Sequence, residues 1–158
     1  GGPQLPASIT VDSLGSWTDF VGDEYKAFSG TAVYTTTINK VPVADVIKLN
    51  LGTVAENASV YLNGEYIGTV IDSPYQLYIP AEKFKGQDEL VVRVANSMAN
   101  RIAYMDKKGM DWKIFYNVNM SARKKENVKN GIFDASNWEP KPSGLLGPVM
   151  LIPVVVKQ

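Results

Sequence analysis

The phrase Val60-Tyr61-Leu62-Asn63-Gly64-Glu65-Tyr66-Ile67 constrains this chain more than any other. Two strand-like runs flank Asn-Gly, and Asn-Gly readily adopts the positive φ angles of a type I′ turn, so the phrase predicts a tight antiparallel hairpin. The same period of two recurs elsewhere. Ile47, Leu49 and Leu51 alternate with Lys48 and Asn50, which makes one strand face apolar and the other wet. Tyr75, Leu77 and Ile79 alternate up to Pro80, and Leu90, Val92 and Val94 repeat the pattern before Asn96. Further strands are expected at Gly30 to Ile38 and Val149 to Val156. The pattern predicts an all-β, antiparallel β-sandwich of about eight strands. It forms a single domain over residues 1–158, with helix expected only in the short stretch from Ala81 to Lys85.

A 158-residue chain with 45% hydrophobic residues can fill such a core without metal or disulfide support. The residue types it lacks restrict its chemistry more sharply. With no Cys there is no thiolate nucleophile or thiolate metal site, and with no His there is no Ser-His-Asp triad and no imidazole ligand or base. Lys plus Arg and Asp plus Glu both number 16, so no net field recruits nucleic acid or an anionic membrane. No run approaches the ~18 to 20 apolar residues of a membrane helix. The opening Gly1-Gly2-Pro3, without an initiator Met, is expected of a piece of a longer protein whose signal peptide or neighbouring domains are absent here.

From Ser97 to Gly144 the rhythm breaks into a long irregular excursion in which strand-like patches such as Ile114-Phe115-Tyr116 sit among Asn, Lys, Gly and Pro. It gathers Arg101, Tyr104, Asp106, Trp112, Tyr116, Asn117 and Trp138, and a basic cluster of Arg123, Lys124, Lys125 and Lys129 that reads as a solvated loop. The phrase Ser143-Gly144-Leu145-Leu146-Gly147-Pro148 lacks the spacing of a phosphate loop and leads into a strand, so it reads as a tight turn.

Five phrases occur in an order that carries a family resemblance: Phe28-Ser29-Gly30-Thr31-Ala32-Val33-Tyr34, Leu49-Asn50-Leu51-Gly52, Val60-Tyr61-Leu62-Asn63-Gly64 with Gly68, Val94-Ala95-Asn96 with Asn100-Arg101, and Ser143 to Val149. From about Trp17 to Ile152 the chain resembles the family 2-type sugar-binding domain of glycoside hydrolases, in the version attached to enzymes similar to bacterial α-L-rhamnosidases. The resemblance implies a jelly-roll sandwich of the galactose-binding-domain-like type, placed beside a catalytic barrel in an extracellular or periplasmic enzyme acting on plant or host polysaccharide. In such enzymes the catalytic carboxylates belong to the barrel, and a barrel needs about 250 residues of alternating strand and helix. The expected role is therefore a non-catalytic accessory domain whose partners are carbohydrate and the parent's catalytic domain.

Sugar sites combine an aromatic face with amide, carboxylate or guanidinium groups that bond hydroxyls. The residues expected to supply them are Asn96, Asn100, Arg101, Asp106, Trp112, Asn117 and Trp138, with Trp17 a further stacking candidate. Each has a scaffolding reading beside the binding one. The Trp rings can fill core, Asn96 can satisfy backbone at a strand end, and Arg101 can pair with Asp106 to pin the excursion. Two other roles stay open: a structural wedge that binds no sugar, and a small autonomous glycosidase built on two of Asp106, Asp111, Glu126, Asp134 and Glu139. No cofactor is expected, and no ligand run supports a structural Ca2+ on this fold.

Overall fold

A computed structural model describes residues 5–114 and 124–155. They gather into two compact units, one comprising residues 9–16, 31–96 and 143–155, and the other residues 5–8, 17–30, 97–114 and 124–142.

The first unit is the sandwich. Its strands are β1 (Thr31–Ile38), β2 (Val46–Asn50), β3 (Thr53–Ala55), β4 (Asn57–Leu62), β5 (Glu65–Val70), β6 (Gln76–Pro80) and β7 (Asp88–Ala95). One sheet has the order β1-β7-β4-β5, with every pairing antiparallel. The last strand of the chain, at Met150–Val154, flanks β2 in a three-stranded antiparallel sheet whose other edge is β6, and Gly144–Gly147 pairs with β3. Alternation sorts the side chains as expected. Leu49 and Ile79 from one sheet meet Val60, Leu62, Leu90, Val92 and Val94 from the other in a single buried cluster.

Polar anchors fix this core at two corners. In the hairpin turn Asn63 has φ 52° and Gly64 φ 81°, as the Asn-Gly phrase demands. Asn63 Nδ2 donates to Asp88 Oδ1 at 2.6 Å, and the backbone N–H groups of Lys85 and Gly86 donate to the same carboxylate at 2.8 and 3.0 Å. At the other corner the Ser143 N–H donates to Ser16 Oγ at 2.9 Å and the Leu145 N–H to the Tyr34 hydroxyl at 3.1 Å. Gly52 bridges Gly147 so closely that a Cβ on Gly52 would lie 2.3 Å from the Gly147 carbonyl carbon, while Gly144 and Gly147 of the Ser-Gly-Leu-Leu-Gly-Pro phrase adopt φ 113° and 71°, where a side chain is strained.

The second unit corrects the reading of the excursion as strand patches in loop. It contains a short helix α1 (Asp23–Lys26), a nine-residue helix α2 (Ala99–Lys107) and a hairpin of β8 (Val128–Lys129) and β9 (Ile132–Phe133). With Gly144–Gly147 as β10 and Met150–Val154 as β11, the described residues form eleven strands rather than about eight. Four of the eleven (β3, β8, β9 and β10) have two to four residues, too few for a period of two to register. The expected Ala81 to Lys85 helix is a single 3-10 turn, Ala81–Lys83. None of these helices is long and apolar enough to cross a membrane.

Candidate functional site

The residues expected to bind ligand fall mostly in the second unit, where α2 organises them. Its buried positions are Asn100, Ala103 and Met105, and Ile102 packs with Trp112 and Trp138 around Phe133 and Ala135. Asp106, near the C-terminal end of α2, is the polar centre. Its side chain is only 2% exposed. Oδ1 accepts the Trp112 indole N–H at 2.8 Å and pairs with Lys113 Nζ at 2.7 Å, while Oδ2 accepts the Ala135 N–H at 2.8 Å. A carboxylate so enclosed is tenable because each oxygen meets a donor and a cation lies beside it.

Arg101 is not the partner of Asp106, contrary to the pairing considered from the sequence. Arg101 and Asp106 are five residues apart in a helix, and such positions lie on different faces. The Arg101 guanidinium instead lies 5.6 Å from the Tyr104 ring centroid, three residues along the same face. Asn100 exchanges two hydrogen bonds with the Lys141 backbone, at 2.9 and 2.8 Å. The Trp138 indole N–H donates to Asn127 Oδ1 at 2.9 Å and its ring meets Phe133 edge-on at 5.8 Å. Trp17 is buried against Phe28, and its indole N–H meets no acceptor among the described residues. Asn96 belongs to the sandwich, where Nδ2 donates to Ser143 Oγ at 3.2 Å. Tyr116, Asn117 and Arg123 lie outside the described residues.

The structure therefore brings Asp106, Trp112 and Trp138 to one cluster and shows both indole N–H groups engaged in internal bonds. Asp134 is likewise occupied. The Ser136 hydroxyl donates to it, and this bond outweighs partial burial and, with the Ser136 N–H and the charges of Lys113 and Lys129, holds the carboxyl below its usual range. Among the described residues no three Asp or Glu side chains gather as a metal site would require.

A different set of side chains is exposed on the sandwich. The outward positions of β1, β7, β4 and β5 form two cross-strand rows, Val33, Arg93, Ser59 and Thr69 in one and Thr35, Val91, Tyr61 and Tyr66 in the next. A bulge makes the second row. The β4–β5 register shifts between Val60 and Tyr61, which leaves Ile67 and Val70 directed at the core while Tyr66 and Thr69 both face out. Tyr66 is 55% exposed, its hydroxyl bonds Thr69 Oγ1 at 2.9 Å, and Thr69 bonds Ser59 at 2.7 Å. The Tyr61 and Tyr66 rings are tilted at 58° with centroids 5.5 Å apart, and the Arg93 guanidinium lies 4.8 Å from the Tyr61 centroid. The sequence signal for this face was the pair of tyrosines flanking Asn63-Gly64. Strict alternation from Thr69 would have turned Tyr66 inward.

No family model matches the sequence. A rhamnosidase from Novosphingobium sp. PP1Y is 29% identical and matches 93% of this chain and 13% of its own, with a TM-score of 0.74. The chain is similar to one small domain of a far larger glycoside hydrolase. A protein of Formosa agariphila whose name carries a provisional β-glucuronidase assignment is 29% identical over 94% of this chain, which spans 14% of that relative's length. The likeness to the rhamnosidase agrees with the all-β sandwich described above, and with the resemblance carried by the five ordered phrases.

Proposed function

We propose that the chain is a non-catalytic, carbohydrate-binding accessory domain of a secreted or periplasmic glycoside hydrolase, whose catalytic carboxylates lie elsewhere in the parent. The observation that carries this reading is the coverage: nearly all of this chain corresponds to about an eighth of a rhamnosidase, 13%. The disposition of the carboxylates supports it. Asp106 and Asp134, two of the five candidates for a hydrolytic pair, are bonded to scaffold donors rather than presented to solvent water or a glycosidic oxygen. A second reading, a wedge that buttresses the parent's barrel, is favoured by the outer face of the three-stranded sheet, where Tyr78 and Met150 are exposed and lie with Val46, Ile152 and Val154 among the polar Lys48, Asn50 and Gln76.

The test is a titration of the chain against an oligosaccharide array, beside an assay with nitrophenyl rhamnoside and glucuronide. Binding without turnover is expected. Turnover abolished by replacing one carboxylate would overturn the non-catalytic assignment, and a blank array would leave the wedge.

A further inference from the structure

The two outer faces of the sandwich differ in kind. The three-stranded face sets Val46, Tyr78, Met150, Ile152 and Val154 among Lys48, Asn50 and Gln76, whereas the four-stranded face carries a row of hydroxyls, two tyrosine rings and a guanidinium. Apolar area suits protein docking; rings beside hydroxyls and a directional cation suit a sugar, whose ring has an apolar C–H face and a polar rim. Resting on the sugar-binding reading above, we propose that the outer face of the β1-β7-β4-β5 sheet binds an acidic saccharide, with Tyr66 as the stacking ring and Arg93 as the group that meets the sugar carboxylate.

Three observations converge on this face. The first is preorganisation. Tyr66 is exposed yet not loose, because Thr69 holds its hydroxyl and Thr69 is held in turn by Ser59, so the ring loses little freedom when a sugar packs on it. The bulge at Ile67 is what aims it outward without sacrificing the buried contacts of Ile67 and Val70. The second is charge. Arg93 forms no ion pair among the described residues, and the nearest acidic group on its own strand face, Glu89, is four residues along, roughly 13 Å at strand spacing. With its Cζ over the Tyr61 ring, the guanidinium is held on this face and offers N–H groups to a planar bidentate acceptor, which a uronate carboxylate supplies. The third is access. Val33, beside Arg93 in the same row, is 59% exposed, so the row is open on the β1 side as well.

The experiment titrates the whole chain, labelled with nitrogen-15, with an oligogalacturonate and with its neutral, carboxyl-reduced counterpart. The acidic oligomer is expected to bind about ten times more tightly and to shift amides of β4, β5 and β7. Tyr66→Ala should weaken binding of both oligomers about tenfold. Arg93→Met, which keeps an unbranched stem over Tyr61, should erase the preference while leaving the weaker common affinity. Tyr78→Ala, on the opposite face, should change nothing, and unchanged melting temperatures establish that all variants fold. Equal affinity for the two oligomers overturns the role of Arg93. Shifts confined to α2 and β9, or full affinity in Tyr66→Ala, overturn the placement while the sugar-binding reading survives. Absence of binding to both oligomers overturns this proposal, and the wider array then decides whether the sugar-binding reading falls with it.

Discussion

Asn63 and Asp88, 25 residues apart, hold each other at 2.6 Å and so tie the tip of the β4–β5 hairpin to the start of β7. The side chain of Asn63 works at both ends, because its Oδ1 also accepts the Glu89 N–H at 2.9 Å. Asp88 itself is fully buried, with three donors around it, one side-chain amide and two backbone N–H groups. Burial opposes its charge, but the Asn63 amide, the Lys85 and Gly86 N–H groups and the Lys85 charge outweigh it and hold the carboxyl below its usual range.

Replacing Asp88 by Ala removes the buried acceptor of three hydrogen bonds, and a loss of about 3 kcal/mol is expected from urea unfolding at pH 7. The pH dependence has a definite sign. A carboxyl whose native pKa is lowered stabilises the fold above its unfolded value, about 3.9, and that contribution disappears as the pH falls through the lower native value. Wild type should therefore lose stability below about pH 4 with a component that Asp88→Ala lacks.

Gly52→Ala should be among the most damaging single-methyl additions in the chain. The new Cβ would meet the Gly147 backbone at 2.3 Å, and the backbone there has φ +67°. Gly64→Ala is the control, with a similar φ of +81° but nothing within 4 Å, and should cost only about 1 kcal/mol. A fall in melting temperature several times larger for Gly52→Ala than for Gly64→Ala is expected by circular dichroism.

Asp106→Ala removes the acceptor for Trp112 and Ala135 and the partner of Lys113, so a destabilisation of about 3 kcal/mol is expected. Asp106→Asn keeps a carbonyl that can accept one of these bonds and should lose less. Denaturant midpoints followed by tryptophan emission separate the two variants, because Trp112 reports directly on the bond that is lost.

Tyr34 gives an alkaline counterpart. Its burial raises the phenol pKa above the usual value, and the Leu145 N–H bond only partly offsets that. The neutral phenol therefore contributes stability below about pH 10, and this is lost as the pH rises through the higher native value. Ultraviolet titration should show a late tyrosine component that is missing in Tyr34→Phe, a variant expected to cost about 1 kcal/mol at neutral pH.

The sandwich was legible because its long strands alternate. Ile47, Leu49, Val60, Leu90, Val92 and Val94 all fall where a period of two puts them, in the buried core. The second unit was not, for physical reasons that differ by element. In α2 the apolar stripe is only two turns long, Asn100 occupies a buried position, and Met98 at the N-terminus makes no capping bond with its side chain. The β8–β9 hairpin did carry a signal, Asn130-Gly131, with φ 53° and 78° like Asn63-Gly64, but strands of two residues offer no alternation to corroborate it. For the expected site residues, residue type suggested sugar contact at Trp112, Asp106 and Trp138. Only three-dimensional partners reveal how far these groups already satisfy one another.

The bulge in β5 changes what natural variation can reach. On one side of Ile67 the strand keeps odd-even parity with the rest of the sheet, and on the other the parity is inverted. Tyr66 can therefore drift to another residue without asking the core for a compensating change, whereas Ile67, its immediate neighbour, cannot. Domains built on this frame can diverge in what they recognise while their interiors stay alike, and saturation mutagenesis along β5 would record the inversion as tolerant positions spaced by three, Tyr66 and Thr69, instead of by two.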